Sequence, residues 1–213
     1  MKTRDRIIHT ALTLFNERGE PNVTTNHIAA EMGISPGNLY YHFRNKEEII
    51  HSIFDLYAHD LTMAFSPDKS RDHMQEGMAL YLDATFSLMW RYRFFYANLP
   101  DILRRDDSLQ EKYLTAQKRM KANLTAVIRQ FDEAGWVAID EASQQDMANT
   151  LKLVVSSWIF YQSAQVPGTV ITKQVVYQGV LQVLAIVRPL TTELGRQNVD
   201  KLIQLYRDQM PQS

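Results

Sequence analysis

Residues 24–43 read TTNHIAAEMGISPGNLYYHF, and their order of residue types decides the fold of the N-terminal quarter of the chain. Ile28, Ala29 and Met32 recur at helical spacing after a threonine pair suited to capping, which predicts a short helix from Thr24 or Thr25 to Met32. Gly33 stops it, because glycine alone enters the left-handed conformation at no steric cost. Ser35 is a good N-cap and Pro36 stands at the first helical position, where its missing N–H costs nothing, so a third helix is predicted from Pro36 to about Phe43. A small residue in one helix, a glycine in the turn and a branched apolar residue in the next helix are what a helix-turn-helix needs for close packing. Ala29, Gly33 and Leu39 fill those three positions.

Working outward, Ile7, Ile8, Ala11, Leu14 and Phe15 describe a first helix ending near Arg18 and Gly19, with Glu20, Pro21 and Asn22 as the connection. Asn45 followed by Glu48 is a capping-box variant that opens a fourth helix through Ile49, Ile53, Leu56 and Tyr57. Ser66, Pro67, Asp68, Lys69 and Ser70 break it. Residues 1–55 are therefore expected to form a helix-turn-helix domain, and 56–213 a second, larger domain.

The string Leu14-Phe15, Glu17-Arg18-Gly19, Thr24-Thr25, Ile28-Ala29, Gly33-Ile34-Ser35, Gly37, Leu39-Tyr40, His42-Phe43, Lys46-Glu47-Glu48-Ile49 closely resembles the N-terminal signature of the tetracycline-repressor (TetR) family of bacterial transcription regulators. The match covers nearly all of residues 4–52; the Glu20-Pro21 pair falls where the family has a variable loop. The resemblance implies that the third helix enters the major groove of an operator. On that reading Ser35, Pro36 and Gly37 bring the backbone close to DNA, and Asn38 offers an amide that can read an adenine edge. Tyr40, Tyr41 and His42 reach phosphates or thymine methyls, with one of the two tyrosines expected to face inward. Thr25 and Lys46 clamp the backbone on either side.

Beyond residue 70 every long segment reads helical: Met74–Tyr92, Arg93–Arg105, Ser108–Ala134, Gln144–Gln165 ended by Pro167 and Gly168, Thr172–Arg188 and Thr192–Gln209. No useful period-2 alternation appears, so the fold class is all-α. The rings around Phe86–Tyr96 suggest a cavity for an apolar or aromatic small-molecule effector, expected to be lined by Tyr81, Phe86, Met89, Trp90, Phe94, Tyr113, Gln117, Trp158 and Tyr161. The family resemblance implies pairing of the helices over 144–165 and 172–188 with a symmetry mate, through Leu151, Val154, Val155, Trp158, Val176, Val180, Val183 and Val187.

Composition bounds the rest. The chain has 213 residues, 45% hydrophobic and 22% charged, a net charge of −1 and no cysteine, as expected of a soluble, cytoplasmic protein without disulfides or thiolate metal sites. Residues 1–55 hold six Lys/Arg against seven Asp/Glu. DNA binding must then rely on a few placed donors and a dimer rather than on a bulk basic field. No His-x3-His pair, Gly-rich phosphate loop or nucleophile elbow is present, so neither a metal, a cofactor nor an enzymatic activity is expected. The expected function is a ligand-responsive repressor that binds a palindromic operator as a homodimer. An activator of the same fold, or a helical binding protein or enzyme without DNA-binding activity, are the alternatives.

Overall fold

The computed structural model describes residues 2–66, 74–165 and 171–210. Ten α-helices run through them: α1 (Thr3–Arg18), α2 (Thr25–Glu31), α3 (Pro36–His42), α4 (Lys46–Ala64), α5 (Met74–Arg91), α6 (Arg93–Arg104), α7 (Asp107–Glu133), α8 (Glu141–Gln165), α9 (Lys173–Val187) and α10 (Glu193–Asp208). Among the described residues there is no β-strand; one isolated antiparallel bridge joins Val137 to Thr191. The expected break at Pro67 to Ser70 and the stop at Pro167 and Gly168 lie outside the described residues.

Helix boundaries follow the local chemistry. Thr24, not Thr25, caps α2: its hydroxyl accepts from His27 N at 3.3 Å while His27 Nδ1 accepts from Thr24 N at 3.3 Å, a reciprocal box that satisfies two otherwise orphaned donors. Gly33 adopts φ 65°, as the turn requires. Ser35 Oγ accepts from Asn38 N at 3.2 Å, and Asn45 Oδ1 accepts from Glu48 N at 2.9 Å while Glu48 Oε2 returns to Arg44 N at 2.9 Å. α8 begins three residues before its expected start, at Glu141, because Asp140 caps it through the Ser143 N–H at 3.0 Å.

α1, α2 and α3 close over Ile7, Phe15, Ile28, Leu39 and Phe43, all buried. α4 belongs to both halves of the molecule, packing on α1 at one end and on α5 and α7 farther along. In the larger half α8 lies against α6, α7 and α9, and α9 in turn packs on α5 and α10. The two halves are stitched by α6. Phe94 lies 5.3 Å from Phe15, and Asn16 accepts from Phe94 N at 3.1 Å and donates to Arg91 O at 2.8 Å.

Candidate nucleic-acid interface and ligand cavity

Leu39 and Phe43 anchor α3 by the i, i+4 face, which leaves the opposite face to solvent. Ser35, Pro36, Gly37 and Asn38 are exposed, as are both tyrosines, Tyr40 at 47% and Tyr41 at 85%. The expectation that one tyrosine turns inward is corrected: the inward positions are already filled by Leu39 and Phe43. His42 is half-buried with its ring edge-on to Tyr41 at 5.1 Å. Thr25, at the start of α2, hydrogen-bonds the Tyr40 hydroxyl at 3.0 Å, so the two expected DNA contacts form a single polar pair bridging α2 and α3. A Cβ on Gly37 would meet nothing nearer than Ser35 Oγ at 3.9 Å, so packing within the chain does not demand a glycine there.

Lys46 is placed differently from expectation. Its ammonium turns inward, donating to the Glu20 carbonyl at 2.6 Å and lying 2.8 Å from Glu20 Oε1. The Glu20 side chain is only 1% exposed, and its other oxygen accepts from Arg105 Nη2 at 2.9 Å. The Lys46–Oε1 contact is an ion pair rather than an aligned hydrogen bond, because the ammonium's geometry serves the carbonyl. A buried carboxylate needs such partners, since an unpaired charge away from water costs several kcal/mol. The Glu20-Pro21 connection thus ties the first residue of α4 to the end of α6. Beside it, His51 Nε2 lies 2.7 Å from Asp106 Oδ2. Partial burial pushes the Asp106 carboxyl up, but hydrogen bonds from Leu109 N and His51 and the imidazole's charge outweigh it, and the group titrates below its ordinary value.

The larger half encloses a cavity of about 110 Å³ between α5, α7, α8 and α9. Phe65, Met78, Leu82, Met120, Leu124, Val127, Ile128 and Phe131 are among its walls, together with Tyr81, Thr85 and Lys152. A second, smaller space of about 20 Å³ adjoins it and shares Phe65, Thr85, Met120, Lys152 and Val155 with it. Of the nine residues expected to line a pocket, Tyr81 lines the larger space and Gln117 the smaller. The others are engaged elsewhere. Phe86 stacks on Tyr177 at 4.3 Å, Trp90 lies under Arg93 at 4.2 Å, and Met89 and Phe94 are buried in the core. Tyr113 packs near Phe54 and Phe95, and Tyr161 is 53% exposed. Trp158 donates from Nε1 to Val175 O at 2.7 Å across the α8–α9 contact, over Gly179, where a Cβ would come within 2.6 Å of the indole.

The residues expected at a dimer interface are also largely turned inward. Leu151, Val176, Val180 and Val183 are buried inside the chain, because α9 is covered by α5, α8 and α10, and Leu151, Val155, Val183 and Val187 line the cavity. Val154 and Trp158 are half-buried. The outer stripe of α8 instead exposes Leu153 at 63% and Phe160 at 52%.

The residues that sequence reasoning passed over are Tyr57, Thr85, Lys152 and Ser156, which line the smaller space together with Gln117 and with Tyr96, one of the rings around which the cavity was expected. One signal for Lys152 was available: between Asp146 and Lys173 it is the only charged residue in a long apolar stretch.

An exposed third helix held by a glycine turn, joined through one continuous helix to an all-α half with an apolar cavity, is the architecture of a helix-turn-helix regulator. The chain matches two family models, one described as "Bacterial regulatory proteins, tetR family" over residues 7–53 and one as "Bacterial transcriptional repressor" (TetR) over residues 56–199. It belongs to the TetR family of bacterial transcriptional regulators.

A crystal structure of a TetR-family regulator from Marinobacter aquaeolei VT8 is similar throughout, with 36% identity, 97% of this chain and 99% of that one covered, and a TM-score of 0.85. Among curated relatives, the uncharacterized HTH-type regulator TtgW of Pseudomonas putida is 34% identical over 87 residues, 40% of this chain and 65% of that protein. SrpR, also from Pseudomonas putida, is 33% identical over 87 residues, 41% of its own length. The icaADBC negative regulator IcaR of Staphylococcus epidermidis is 24% identical over 164 residues, covering 75% of this chain and 84% of that protein. Among the described residues no helix is long and apolar enough to cross a membrane.

Proposed function

We propose that the chain is a repressor that binds a two-fold-symmetric operator as a homodimer, inserting α3 into successive major grooves, and that a small molecule in the cavity of the larger domain lowers operator affinity. The observation that carries the DNA-binding reading is the outward face of α3. Pro36, Gly37, Asn38 and Tyr41 are exposed on a seven-residue helix whose inward face is fully used by Leu39 and Phe43. Asn38 supplies base readout, and the Thr25–Tyr40 pair supplies hydroxyls for a phosphate. A helix this short contacts few base pairs, so affinity requires two copies about 34 Å apart. The pairing surface is the outer stripe of α8, Leu153, Ser157, Phe160 and Ala164, whose spacing of four, three and four places them on one face.

Selection from random duplexes tests this reading. A two-fold-symmetric consensus, bound with a strong inverse dependence on salt, is the expected result. Recovery of no consensus would remove the DNA-binding assignment.

A further inference from the structure

We infer that the cavity of the larger domain takes an amphiphilic acid, with an apolar body of about six to eight carbons in the larger space and a carboxylate held by Lys152 at the smaller one. This deepens the effector reading above and rests on it only for the consequence to DNA. The argument starts from the asymmetry of the two adjoining spaces. The walls of the larger one are hydrocarbon and aromatic apart from Lys152, which lines both spaces, and its two hydroxyls are already used: Tyr81 donates to Ser66 O at 3.1 Å and Thr85 to Tyr81 O at 2.8 Å. A dry, apolar space of about this size accepts a ring or a short alkyl chain, as a ~150 Å³ cavity lined by aliphatic and aromatic side chains accepts benzene.

The smaller space carries the additional polar side chains. Tyr57, Tyr96, Gln117, Lys152 and Ser156 line it beside Leu61, Leu88 and the shared apolar walls, with the Ser156 hydroxyl spent on Leu153 O at 3.2 Å. The Tyr57 and Tyr96 hydroxyls are hydrogen-bonded at 3.4 Å, and the Gln117 amide lines the same space. Burial raises both phenols, Tyr96 to about 12, so both remain protonated, and since one donates to the other, one phenolic proton is left for a ligand. Among the described residues Lys152 is the only charged side chain lining either space, and it has no carboxylate partner among them. A head group here meets one ammonium, one phenolic donor and an amide, with no opposing carboxylate among the described residues. That set selects an anion over a neutral alcohol and rejects an amine. The shared walls, Phe65, Met120 and Val155, let one molecule occupy both spaces.

The test uses the full chain without DNA, near neutral pH, titrated calorimetrically with octanoate, octan-1-ol and octylamine. Octanoate is expected to bind at one site per chain, about tenfold more tightly than octan-1-ol, with octylamine weakest. Lys152→Met, at a half-exposed position, should lower octanoate affinity about tenfold and leave octan-1-ol within about twofold. Val155→Phe, which fills the shared wall, should weaken all three probes. Thermal melts confirm folding, and if Val155→Phe does not fold, the Lys152→Met comparison decides alone. No binding of any probe, binding of octan-1-ol or octylamine as tight as octanoate, or unchanged octanoate affinity in Lys152→Met would overturn the inference. Octanoate that binds with the expected preference but leaves affinity for the selected duplex unchanged supports the ligand class and removes only the effector role.

Discussion

Replacing Glu20 probes the joint between the two halves of the chain, and its cost follows from three exposures. The carboxylate is 1% exposed, Lys46 is 18% and Arg105 is 53% exposed. Breaking a mostly buried ion pair such as Lys46–Glu20 costs about 3 kcal/mol or more, whereas the pair with half-exposed Arg105, though hydrogen-bonded, is screened by solvent and contributes at most about 1 kcal/mol. Glu20→Gln keeps the volume and the backbone carbonyl that Lys46 also uses, so it should cost about 2 kcal/mol. Glu20→Ala also empties the site and leaves the ammonium without its counter-ion, and should cost about 3–5 kcal/mol. The same exposures predict that Lys46→Met is more damaging than Arg105→Gln. Urea denaturation of the four variants, with slopes compared to ensure that only stability has changed, measures this directly. Losses below about 0.5 kcal/mol in both Glu20 variants, or equal losses for Lys46→Met and Arg105→Gln, would refute the view of Glu20 as a buried charge held mainly by Lys46.

Asp106 should show a pH signature. Its carboxyl titrates below the ordinary value in the folded chain, so its stabilisation is present above the unfolded value of about 3.9 and is lost as pH falls through the lower folded value. Asp106→Asn retains the α7 cap to Leu109 N, and its stability deficit at about pH 6 should vanish in acid when both proteins are melted across the range. On the selected duplex, Asn38→Ala should relax preference at one base position per half-site at a cost of about 1–3 kcal/mol. Lys46→Ala should leave the salt slope nearly unchanged because the ammonium is spent on Glu20; a slope lower by about one would show that it reaches a phosphate after all. Phe160→Glu on the outer stripe of α8 should give a folded monomer by sedimentation, with weakened operator binding, whereas Val180→Asp buries an unpaired charge and should cost more than about 4 kcal/mol of stability.

The difference between what was legible and what was not lies in the range of the interactions. The Thr24, Ser35 and Asn45 caps, the Gly33 turn and the Leu39 anchor are set within four residues, and periodicity located the long helices to within a few residues. Lys46 was misread because its partners are distant in sequence: Glu20 lies 26 residues away, and Glu20 in turn meets Arg105 across 85. The valine stripe of α9 was read toward a partner because a helix apolar on more than one face does not declare which face a neighbour in its own chain will cover. The cavity is a property of how α5, α7, α8 and α9 fail to fill the space between them, and rings such as Phe86 and Trp90 that looked like pocket walls found closer partners in Tyr177 and Arg93.

α4 contains neither proline nor glycine between Lys46 and Ala64, so it lacks the two residue types that most often kink a helix. Tyr57, which lines the smaller space, and Lys46, at the start of α4 beside α3, therefore lie on one continuous helix, about 16 Å apart along its axis at 1.5 Å per residue. A rotation of about 5° about the Tyr57 end sweeps the other end through roughly 1.5 Å. In a symmetric pair the two sweeps add, to about 3 Å against a groove spacing fixed near 34 Å. On the proposed dimer, a movement far smaller than the width of a helix would thus be sufficient leverage to take both α3 helices out of register with the duplex together.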